Sequence, residues 1–341
     1  IAVRIERGLP GWIEGLAELE LTLSRILDAL REAKRAGPPR PPEAPRDLSS
    51  ESRSFQVLTV TSNKGGVGKT TVAANLAVYL RALREDLPIL LLGLDEQPLI
   101  DRMFAIGPPV AAPTVAGALR KGSLVSAVRL GQYGVHYVPS SPSISELKLE
   151  IADVFHLHKA LLTTGWHGLV IIDTKSDFEI LTHNAIAASD LSIVVVKDQS
   201  SLLEAGKVFE LFHRWGDGKD RGRVLLSLMD LRVKFGDENR RDILALLLSE
   251  IRKRGYPHFP TFISRSPKIE SLYTNPDGRA HSILHGAPGS IVHRQKHHLA
   301  NDVLALLDGL EARADDLEAR TAVAAGDWLD ARPRPYAALQ R

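Results

Sequence analysis

The chain has 341 residues and contains no cysteine, which excludes disulfide bonds and metal centres held by thiolates. Its 43 lysines and arginines nearly balance its 41 aspartates and glutamates, so any contact with nucleic acid must come from a local basic patch and not from the overall charge. With 44% hydrophobic and 25% charged residues, the chain is long enough for one large α/β domain with appendages.

No stretch of the sequence reaches the roughly 18 consecutive apolar residues that a membrane-spanning helix needs. The first residues also lack the uninterrupted apolar core of a signal peptide. We therefore expect a cytoplasmic protein with no membrane partner.

The first 36 residues are predicted to form a separate amphipathic helix. Its apolar residues recur at helical spacing, at Leu16, Leu19, Leu23, Ile26, Leu27 and Leu30. Residues 37–54 follow as a linker that carries five prolines and is expected to be extended and semi-rigid. Two roles remain open for this helix: packing on the main domain of its own chain, or engaging a partner protein.

A glycine-rich loop lies in the stretch TVTSNKGGVGKTTVAANLA, residues 59–77, between a β-rich run and a run with apolar residues at helical spacing. Phosphate-binding loops carry the pattern G-x-x-x-x-G-K-[ST], in which backbone N–H groups and a lysine hold phosphates and a hydroxyl group binds Mg²⁺. Gly68, Lys69 and Thr70 complete this pattern, whereas Asn63 replaces the first glycine and is a residue type that tolerates a left-handed backbone. We predict that phosphates bind at the N-terminus of the helix that follows.

From residue 55 onward, short apolar runs are interspersed with helical patterns. The runs are continuously apolar, which is typical of strands buried on both faces of a parallel sheet. They fall at 55–61, 88–94, 134–139, 168–173, 191–197, 224–229 and 259–264, and helices are predicted at 201–212, 242–254 and 298–310. We predict an α/β protein with a three-layer P-loop NTPase fold over residues 55–310, in which helices flank a mostly parallel central sheet. The N-terminal helical extension precedes this domain, and a charged C-terminal tail, residues 311–341, follows it.

Asp173 ends the apolar run GLVIID, close to the predicted phosphate loop. A P-loop enzyme needs a carboxylate at such a strand end to hold the hydration shell of Mg²⁺. We therefore predict that Asp173, through water, and Thr70 bind the metal ion. The alternative is an aspartate that only caps the end of a strand.

The stretch KGGVGKTT, residues 64–71, resembles the deviant Walker A motif of the ParA/MinD family of ATPases, and the flanking motifs favour its ParA (Soj) branch. In that family the early lysine, here Lys64, reaches across a dimer interface to the phosphates of the other subunit. The resemblance therefore implies an ATP-dependent sandwich homodimer, with ATP and Mg²⁺ as ligands. The residues implied in nucleotide binding are Lys64, Gly65, Gly66, Val67, Gly68, Lys69, Thr70, Thr71 and Met229, the last in a loop that helps to frame the adenine.

The segment GLDEQP, residues 93–98, resembles the Asp-x-Asp-Pro-Gln segment of the family. Asp95 matches the carboxylate assigned to hydrolysis, so the implied catalytic residues are Lys64, Lys69 and Asp95; the alternative is a loop aspartate that only solvates a strand end. Glu96 replaces the proline of this segment. Lys175 and Ser176 replace two prolines that usually follow Asp-Thr, so the loops near the γ-phosphate are expected to be altered.

The segment FISRSPKIE, residues 262–270, resembles the Ile-Pro-Arg segment of the family, with Ser264 in place of the proline and Arg265 kept. In DNA-binding members this arginine contacts phosphates without sequence preference. We predict a basic face for non-specific DNA made by Arg265, Arg232, Lys234 and Lys268. Scattered solvated charge is the alternative, because the net charge is small.

Two histidines, His293 and His297, lie one helical turn apart in HRQKHH. A metal site and a solvated helix surface both fit this spacing, and the surface is favoured because no third ligand is visible in the sequence.

The resemblance implies a ParA-type ATPase, slow alone and stimulated by DNA and a partner, that is associated with the nucleoid and positions or segregates a cargo. The cargo would be a chromosome or plasmid partition complex or another cellular body. The partner would be a ParB-like or cargo adaptor protein, for which the N-terminal helix is a candidate binding site. An ATP-gated dimeric scaffold or polar landmark with little hydrolysis is the alternative. A metabolic ligase is disfavoured by Lys64. A MinD-like membrane ATPase is disfavoured by acidic residues around the tail, namely Asp308, Glu311, Asp315, Asp316 and Glu318.

Overall fold

The computed structural model describes residues 54–107, 113–215, 219–232, 234–235, 241–271 and 280–324. All of them belong to one of two compact units of the chain, Pro45–Arg341, and the other unit, Ile1–Ala44, lies outside the described residues. The predicted N-terminal helix, the linker up to residue 53 and the tail after residue 324 therefore also lie outside them.

Seven strands form one central sheet. They are β1 (Phe55–Thr61), β2 (Ile89–Gly93), β3 (Arg129–Leu130), β4 (His136–Val138), β5 (Gly168–Asp173), β6 (Leu191–Val196) and β7 (Gly222–Leu226). Their order across the sheet is β3-β4-β2-β5-β1-β6-β7, and every pairing is parallel except that of β3 with β4. A separate two-stranded hairpin consists of β8 (Lys234–Phe235) and β9 (Arg241–Asp242).

Helices connect and cover these strands. They are α1 (Lys69–Leu83), α2 (Leu99–Phe104), α3 (Val115–Arg120), α4 (Leu147–Glu150), α5 (His156–Thr164), α6 (Ile180–Ala188), α7 (Gln199–Arg214), α8 (Ile243–Lys253), α9 (Pro267–Ser271), α10 (Ile283–Gly286) and α11 (Ile291–Ala324). Short 3₁₀ turns occur at Gln132–Gly134, Ile144–Glu146 and Lys219–Arg221. None of the helices within the described ranges combines the length and the apolarity needed to cross a bilayer.

Each inner strand has buried side chains on both of its faces, which explains why the sequence shows continuous apolar runs there. On one face, Leu58 and Ile171 pack in a cluster that includes residues of α1 and α11. On the other face, Val57 and Val170 pack with residues of α3, α5 and α6. A third cluster joins β6 and β7 to α7 and α8. The predicted three-layer α/β fold with a mostly parallel sheet is confirmed.

The register of the sheet brings three strand ends together. Asp173, the last residue of β5, lies opposite Val60 of β1 on one side and Gly93 of β2 on the other. The loops that follow β1, β2 and β5 therefore emerge side by side at the carboxyl edge of the sheet, where ligands bind in open α/β folds.

The predicted strand at 259–264 is wrong, because the structure has only two isolated bridges in this region, Val224 with His258 and Met229 with Ser264. Residues 257–265 do run alongside β7, and the amides of Phe259 and Ile263 donate to carbonyls of β7. Between those two bonds the segment advances four residues while β7 advances two. Pro260, which has no N–H group to donate, lies in the part that bulges away.

The last helix differs from its predicted range of 298–310, since α11 begins at Ile291 and continues to Ala324. The HRQKHH stretch is therefore inside the helix and not before it. His293 is partly buried there, and its Nδ1 lies 2.8 Å from the hydroxyl oxygen of Tyr79, whereas His297 is exposed. The described residues contain no group of three side chains arranged to hold a metal ion.

Candidate functional site

The loop between β1 and α1 is shaped for an anion. Gly68 has φ 93° and precedes the first residue of α1, and a Cβ atom there would lie 3.3 Å from Ser227 Oγ, so this position requires glycine. No side chain caps the start of α1. The first backbone N–H groups of this helix and the positive end of its dipole are thus available for a phosphate. Asn63 does not adopt the left-handed backbone that its residue type tolerates, and instead donates from its amide to Glu204 Oε2.

Lys69 points into the site. Its side chain is almost fully buried, and Nζ donates to Ser176 Oγ at 2.6 Å and to the Lys64 carbonyl oxygen at 3.3 Å. Burial lowers the pKa of Lys69, and the nearby carboxylates of Asp173, Asp95 and Asp177 oppose that shift. The lysine is therefore the central cation of a group of acidic side chains, which is the arrangement that a nucleotide with its metal ion would complete.

Asp173 fits a hydrated Mg²⁺ ion. Burial raises the pKa of this carboxyl to about 7, against the hydrogen bond from Thr70 and the charge of Lys69, while the charge of Asp95 adds to the rise. One of its oxygens, Oδ1, is buried and has no hydrogen-bond partner among the described residues. A buried carboxylate oxygen without a donor, beside a threonine hydroxyl, is the oxygen-rich environment that Mg²⁺ and its water ligands occupy.

Asp95 lies in the loop after β2, next to this centre. The amide of Leu94, the preceding residue, donates to the carbonyl oxygen of Asp173 at 2.9 Å and so ties the two loops at their bases. The Asp95 side chain is partly exposed, and its Oδ1 accepts a bond from the Gln97 amide at 3.4 Å. This carboxylate is therefore accessible to water at the same edge of the sheet as the phosphate loop.

The Lys64 side chain reaches Asp198 at the start of α7. Its Nζ lies 3.2 Å from each carboxylate oxygen of Asp198, and both side chains are about one-third exposed. The two lysines of this loop thus lie in different environments. Lys69 is buried at the predicted phosphate site, and Lys64 lies at the protein surface.

The loop after β7 lies against the phosphate loop at Gly68. Leu228 has φ 57°, which is rare for a bulky side chain, and its side chain would contact a Cβ atom placed on Gly68. Met229, which was expected to frame the adenine, has a buried side chain that packs in the cluster of α7 and α8, and its amide donates to Ile263 O. The side chain of Met229 faces the core, so we expect that only its backbone atoms could contact the adenine base.

The predicted basic face is only partly described. Arg232 and Arg265 are exposed, and both influence Asp230, whose pKa is lowered to about 2, first by the hydrogen bond from Arg232 and also by the charge of Arg265. Arg232 pairs with Asp230 at 2.7 Å, and Arg265 pairs with Glu270 at 3.1 Å. The side chains of Lys234 and Lys268 lie outside the described residues.

The sequence did not reveal the contacts of three residues that depart from the family pattern. Ser176 accepts the bond from Lys69, and Lys175 reaches Glu96 across two loops. The only signal for these contacts was the replacement of prolines, which marked the loops as altered without saying what the new side chains touch.

The comparisons with known proteins agree with this geometry. A family model described as an AAA domain matches residues 55–212. The chromosome-partitioning ATPase Soj of Thermus thermophilus is 31% identical over 147 residues, which cover 43% of this chain and 57% of Soj. The partitioning protein ParA of Caulobacter vibrioides is 30% identical over 44% of this chain and 59% of its own length. The chain thus spans somewhat more than half the length of these two relatives.

A further relative matches this chain over a longer stretch than Soj and ParA do, and a solved structure has a similar fold. An uncharacterized ATP-binding protein of Methanocaldococcus jannaschii is 32% identical over 184 residues, which cover 52% of this chain and 67% of that protein. The structure of McdA from Cyanothece superposes with a TM-score of 0.59 at 17% identity, over 73% of this chain and 99% of McdA. With its phosphate loop, its Asp173 strand end and these relatives, the chain belongs to the ParA-like family of P-loop ATPases.

Proposed function

We propose that this protein is an ATPase of the ParA type that forms an ATP sandwich dimer, binds DNA without sequence preference and positions or segregates a cargo. The observation that carries the proposal is the divergence of the two loop lysines. Lys69 is buried over its own phosphate site, whereas Lys64 is held at the surface by a weak, partly exposed ion pair with Asp198. A lysine that is so loosely held is free to exchange Asp198 for the phosphates of a second subunit.

The residues of the site divide the work of hydrolysis. Backbone N–H groups of residues 65–70 and the Lys69 ammonium would bind the β- and γ-phosphates of ATP. Thr70 and, through water, Asp173 would hold Mg²⁺, which neutralises charge on those phosphates. Asp95 would orient the attacking water molecule and accept its proton. Lys64 of the other subunit would stabilise the charge that develops on the transferred phosphoryl group.

The cargo role rests on the relatives. Soj and ParA, the two bacterial relatives described above, are named as chromosome-partitioning proteins, and a structure titled as a plasmid partition protein of Borrelia burgdorferi has a TM-score of 0.55 and 17% identity. A partition complex with a ParB-like or cargo adaptor protein as partner is therefore the proposed assembly. A cytoplasmic, nucleoid-associated location is proposed with it.

The test combines turnover with assembly. We expect the wild-type protein to hydrolyse ATP slowly and to elute as a dimer when ATP is present. Asp95→Ala should keep ATP binding, lose turnover and accumulate as an ATP-bound dimer that stays on DNA. Lys253→Ala, an exposed change at the end of α8, is the matched control. An Asp95→Ala protein that remains monomeric with ATP would count against the proposal.

A second candidate function is an ATP-gated dimeric scaffold with little hydrolysis. The altered loops favour it, because Lys69 is already engaged by Ser176 and the Asp95 loop carries Glu96 in an ion pair with Lys175. Tight ATP binding and dimerisation without turnover, even with duplex DNA and a candidate adaptor present, would support the scaffold. Joint stimulation by DNA and adaptor would support the ATPase.

A further inference from the structure

Three loops at the carboxyl edge of the sheet are joined by Glu96, Ser145 and Lys175, which follow β2, β4 and β5. The Lys175 ammonium donates to Ser145 Oγ at 2.8 Å and lies 3.6 Å from Glu96 Oε1. The Ser145 hydroxyl is also hydrogen-bonded to Glu96, and this bond, followed by the charge of Lys175, lowers the pKa of Glu96. The three side chains therefore form a closed triangle in which each contacts the other two.

The loop after β5 has a second attachment beyond Ser176, at Asp177 and Glu179. Lys148, on α4, donates to Asp177 Oδ2 at 2.8 Å and pairs with Glu179. Ser176 lies between the two attachments and accepts the bond from Lys69. The segment that carries this hydroxyl is thus held by ion pairs on both sides.

The triangle lies next to the hydrolytic machinery without being part of it. Glu96 follows Asp95 directly, and Lys175 comes two residues after Asp173. Neither is hydrogen-bonded to Lys69 Nζ among the contacts described above. Glu96 and Lys175 occupy positions where the family usually carries prolines, and here the two replacements pair with each other.

The Glu96–Lys175 ion pair is expected to affect the position of catalytic groups more than the folding stability of the protein. The side chains of Lys175 and Glu96 are 30% and 43% exposed, and ion pairs of that exposure contribute little to folding stability. By contrast, displacing a catalytic group by about 1 Å can reduce a rate about a hundredfold. The effect of this ion pair should therefore appear in turnover and not in the melting temperature.

We propose that Glu96 and Lys175 are positioning residues whose ion pair, closed by Ser145, fixes the Asp95 loop against the loop after β5 and thereby sets the rate of the hydrolytic step. The inference rests on the proposed ATP hydrolysis. We call the contacts among Glu96, Ser145 and Lys175 the clasp. The clasp takes the place of the prolines that would otherwise stiffen the two loops.

The experiment compares full-length Glu96→Gln, Lys175→Gln and the conservative Lys175→Arg with wild type. Single-turnover hydrolysis, the affinity for a non-hydrolysed ATP analogue and the melting temperature are measured for each. Both glutamine variants should lose about tenfold in turnover, with nucleotide affinity and melting temperature unchanged, and Lys175→Arg should recover most of the rate. Glu210→Gln, which breaks the exposed pair with Arg214 on α7, is the matched control and should behave as wild type.

A second readout does not depend on activity. Because the chain has no cysteine, a Gln97→Cys variant takes a single spin label on the exposed loop that carries Asp95. The label should become more mobile when Lys175→Gln is added, and should not change when Glu210→Gln is added.

The possible failures are distinguishable. An active wild type whose Lys175→Gln variant turns over at the same rate overturns the clasp and leaves the proposed function standing. A wild type that hydrolyses no ATP overturns both. Equal label mobility with and without Lys175→Gln overturns the clasp, whatever the hydrolysis rates.

Discussion

Lys64 Nζ lies 3.2 Å from both carboxylate oxygens of Asp198, the residue that caps the N-terminus of α7. The same carboxylate accepts a bond from the Ser201 amide at 2.7 Å, and the Ser201 hydroxyl accepts one from the Asp198 amide at 2.9 Å. One carboxylate thus serves both a helix and the surface lysine of the phosphate loop. The bonds of the cap join Asp198 to Ser201, so the cap of α7 does not depend on Lys64.

The two loop lysines should have separable roles. Lys69→Ala should abolish nucleotide binding, because it removes the buried ammonium over the phosphate site. Lys64→Ala should keep binding, because this side chain contacts Asp198 and not the chain's own phosphate site, but it should stop ATP-driven turnover. Binding of a fluorescent ATP analogue and hydrolysis are measured on the same preparations, with Lys253→Ala as control. Wild-type hydrolysis by Lys64→Ala would rule out the sandwich-dimer mechanism.

Substitutions of Asp198 should separate the cap from the ion pair. Asp198→Ala removes both and should lower the free energy of unfolding by about 1 kcal/mol. Asp198→Ser keeps a good capping side chain while it removes the charge partner of Lys64, so it should cost only a few tenths of a kcal/mol. Urea denaturation decides between them. Equal losses for the two variants would mean that the ion pair, and not the cap, accounts for the stability.

Lys296 should make the protein more stable as the pH rises. Its side chain is fully buried in α11, its Nζ has no hydrogen-bond partner among the described residues, and burial lowers its pKa to about 7. A lysine in the unfolded chain titrates near pH 10.4. The unfolded state therefore binds more protons between about pH 7 and 10, the cost of burying the charge is complete below pH 7, and it is relieved progressively above that value.

Lys296→Met removes this cost. We expect it to raise the free energy of unfolding by on the order of 3 kcal/mol at about pH 7 and below, with a gain that narrows toward pH 9. Denaturation curves across this range, compared with Arg294→Met on the exposed side of the same helix, provide the measurement. A gain that does not depend on pH would show that Lys296 carries the same charge in the folded and the unfolded protein, and so that burial does not lower its pKa.

Binding to DNA should depend on Arg265 and not on bulk charge. Arg265→Glu should weaken binding uniformly across sequences and reduce the slope of log affinity against log salt by about 0.9 for each phosphate that the protein no longer neutralises. ATP-dependent dimerisation should remain, because Arg265 has no bond to the phosphate loop among its described hydrogen bonds. Arg214→Glu on α7 is a charge-matched control. Unchanged DNA affinity in Arg265→Glu would place the basic face elsewhere, and the scaffold would become the better explanation.

Motifs with local spacing were predictable from the sequence, whereas contacts between loops were not. The strand, glycine loop and helix around Lys69, and the strand that ends at Asp173, follow from patterns that span a few residues each. The partner of Lys64 is 134 residues away, and that of Glu96 is 79 positions on. Such pairs depend on the sheet register that places the end of β1 beside that of β6 and the end of β2 beside that of β5, and no periodicity in the chain encodes it.

Helix α11 shows a second limit of prediction from the sequence, which concerns the side chains that are buried. A solvated surface was favoured for His293 and His297 because the sequence shows no third metal ligand, yet His293 is partly buried against Tyr79, and Lys296 between the two histidines is buried. His293 contacts Tyr79 because α11 packs against α1, and this packing overrides the preference of the residue type. The solvated interpretation is right for His297, which is exposed.

The segment at 257–265 has a consequence for how copies of this chain meet. It lies along the outer side of β7 and occupies several of its backbone groups, while the opposite border of the sheet, β3, is only two residues long. Within the described part of the chain, the seven-stranded sheet therefore offers no long open border for strand addition, the route by which exposed edges template aggregation. Between two copies of this chain, strand pairing at either border of this sheet is therefore disfavoured among the described residues.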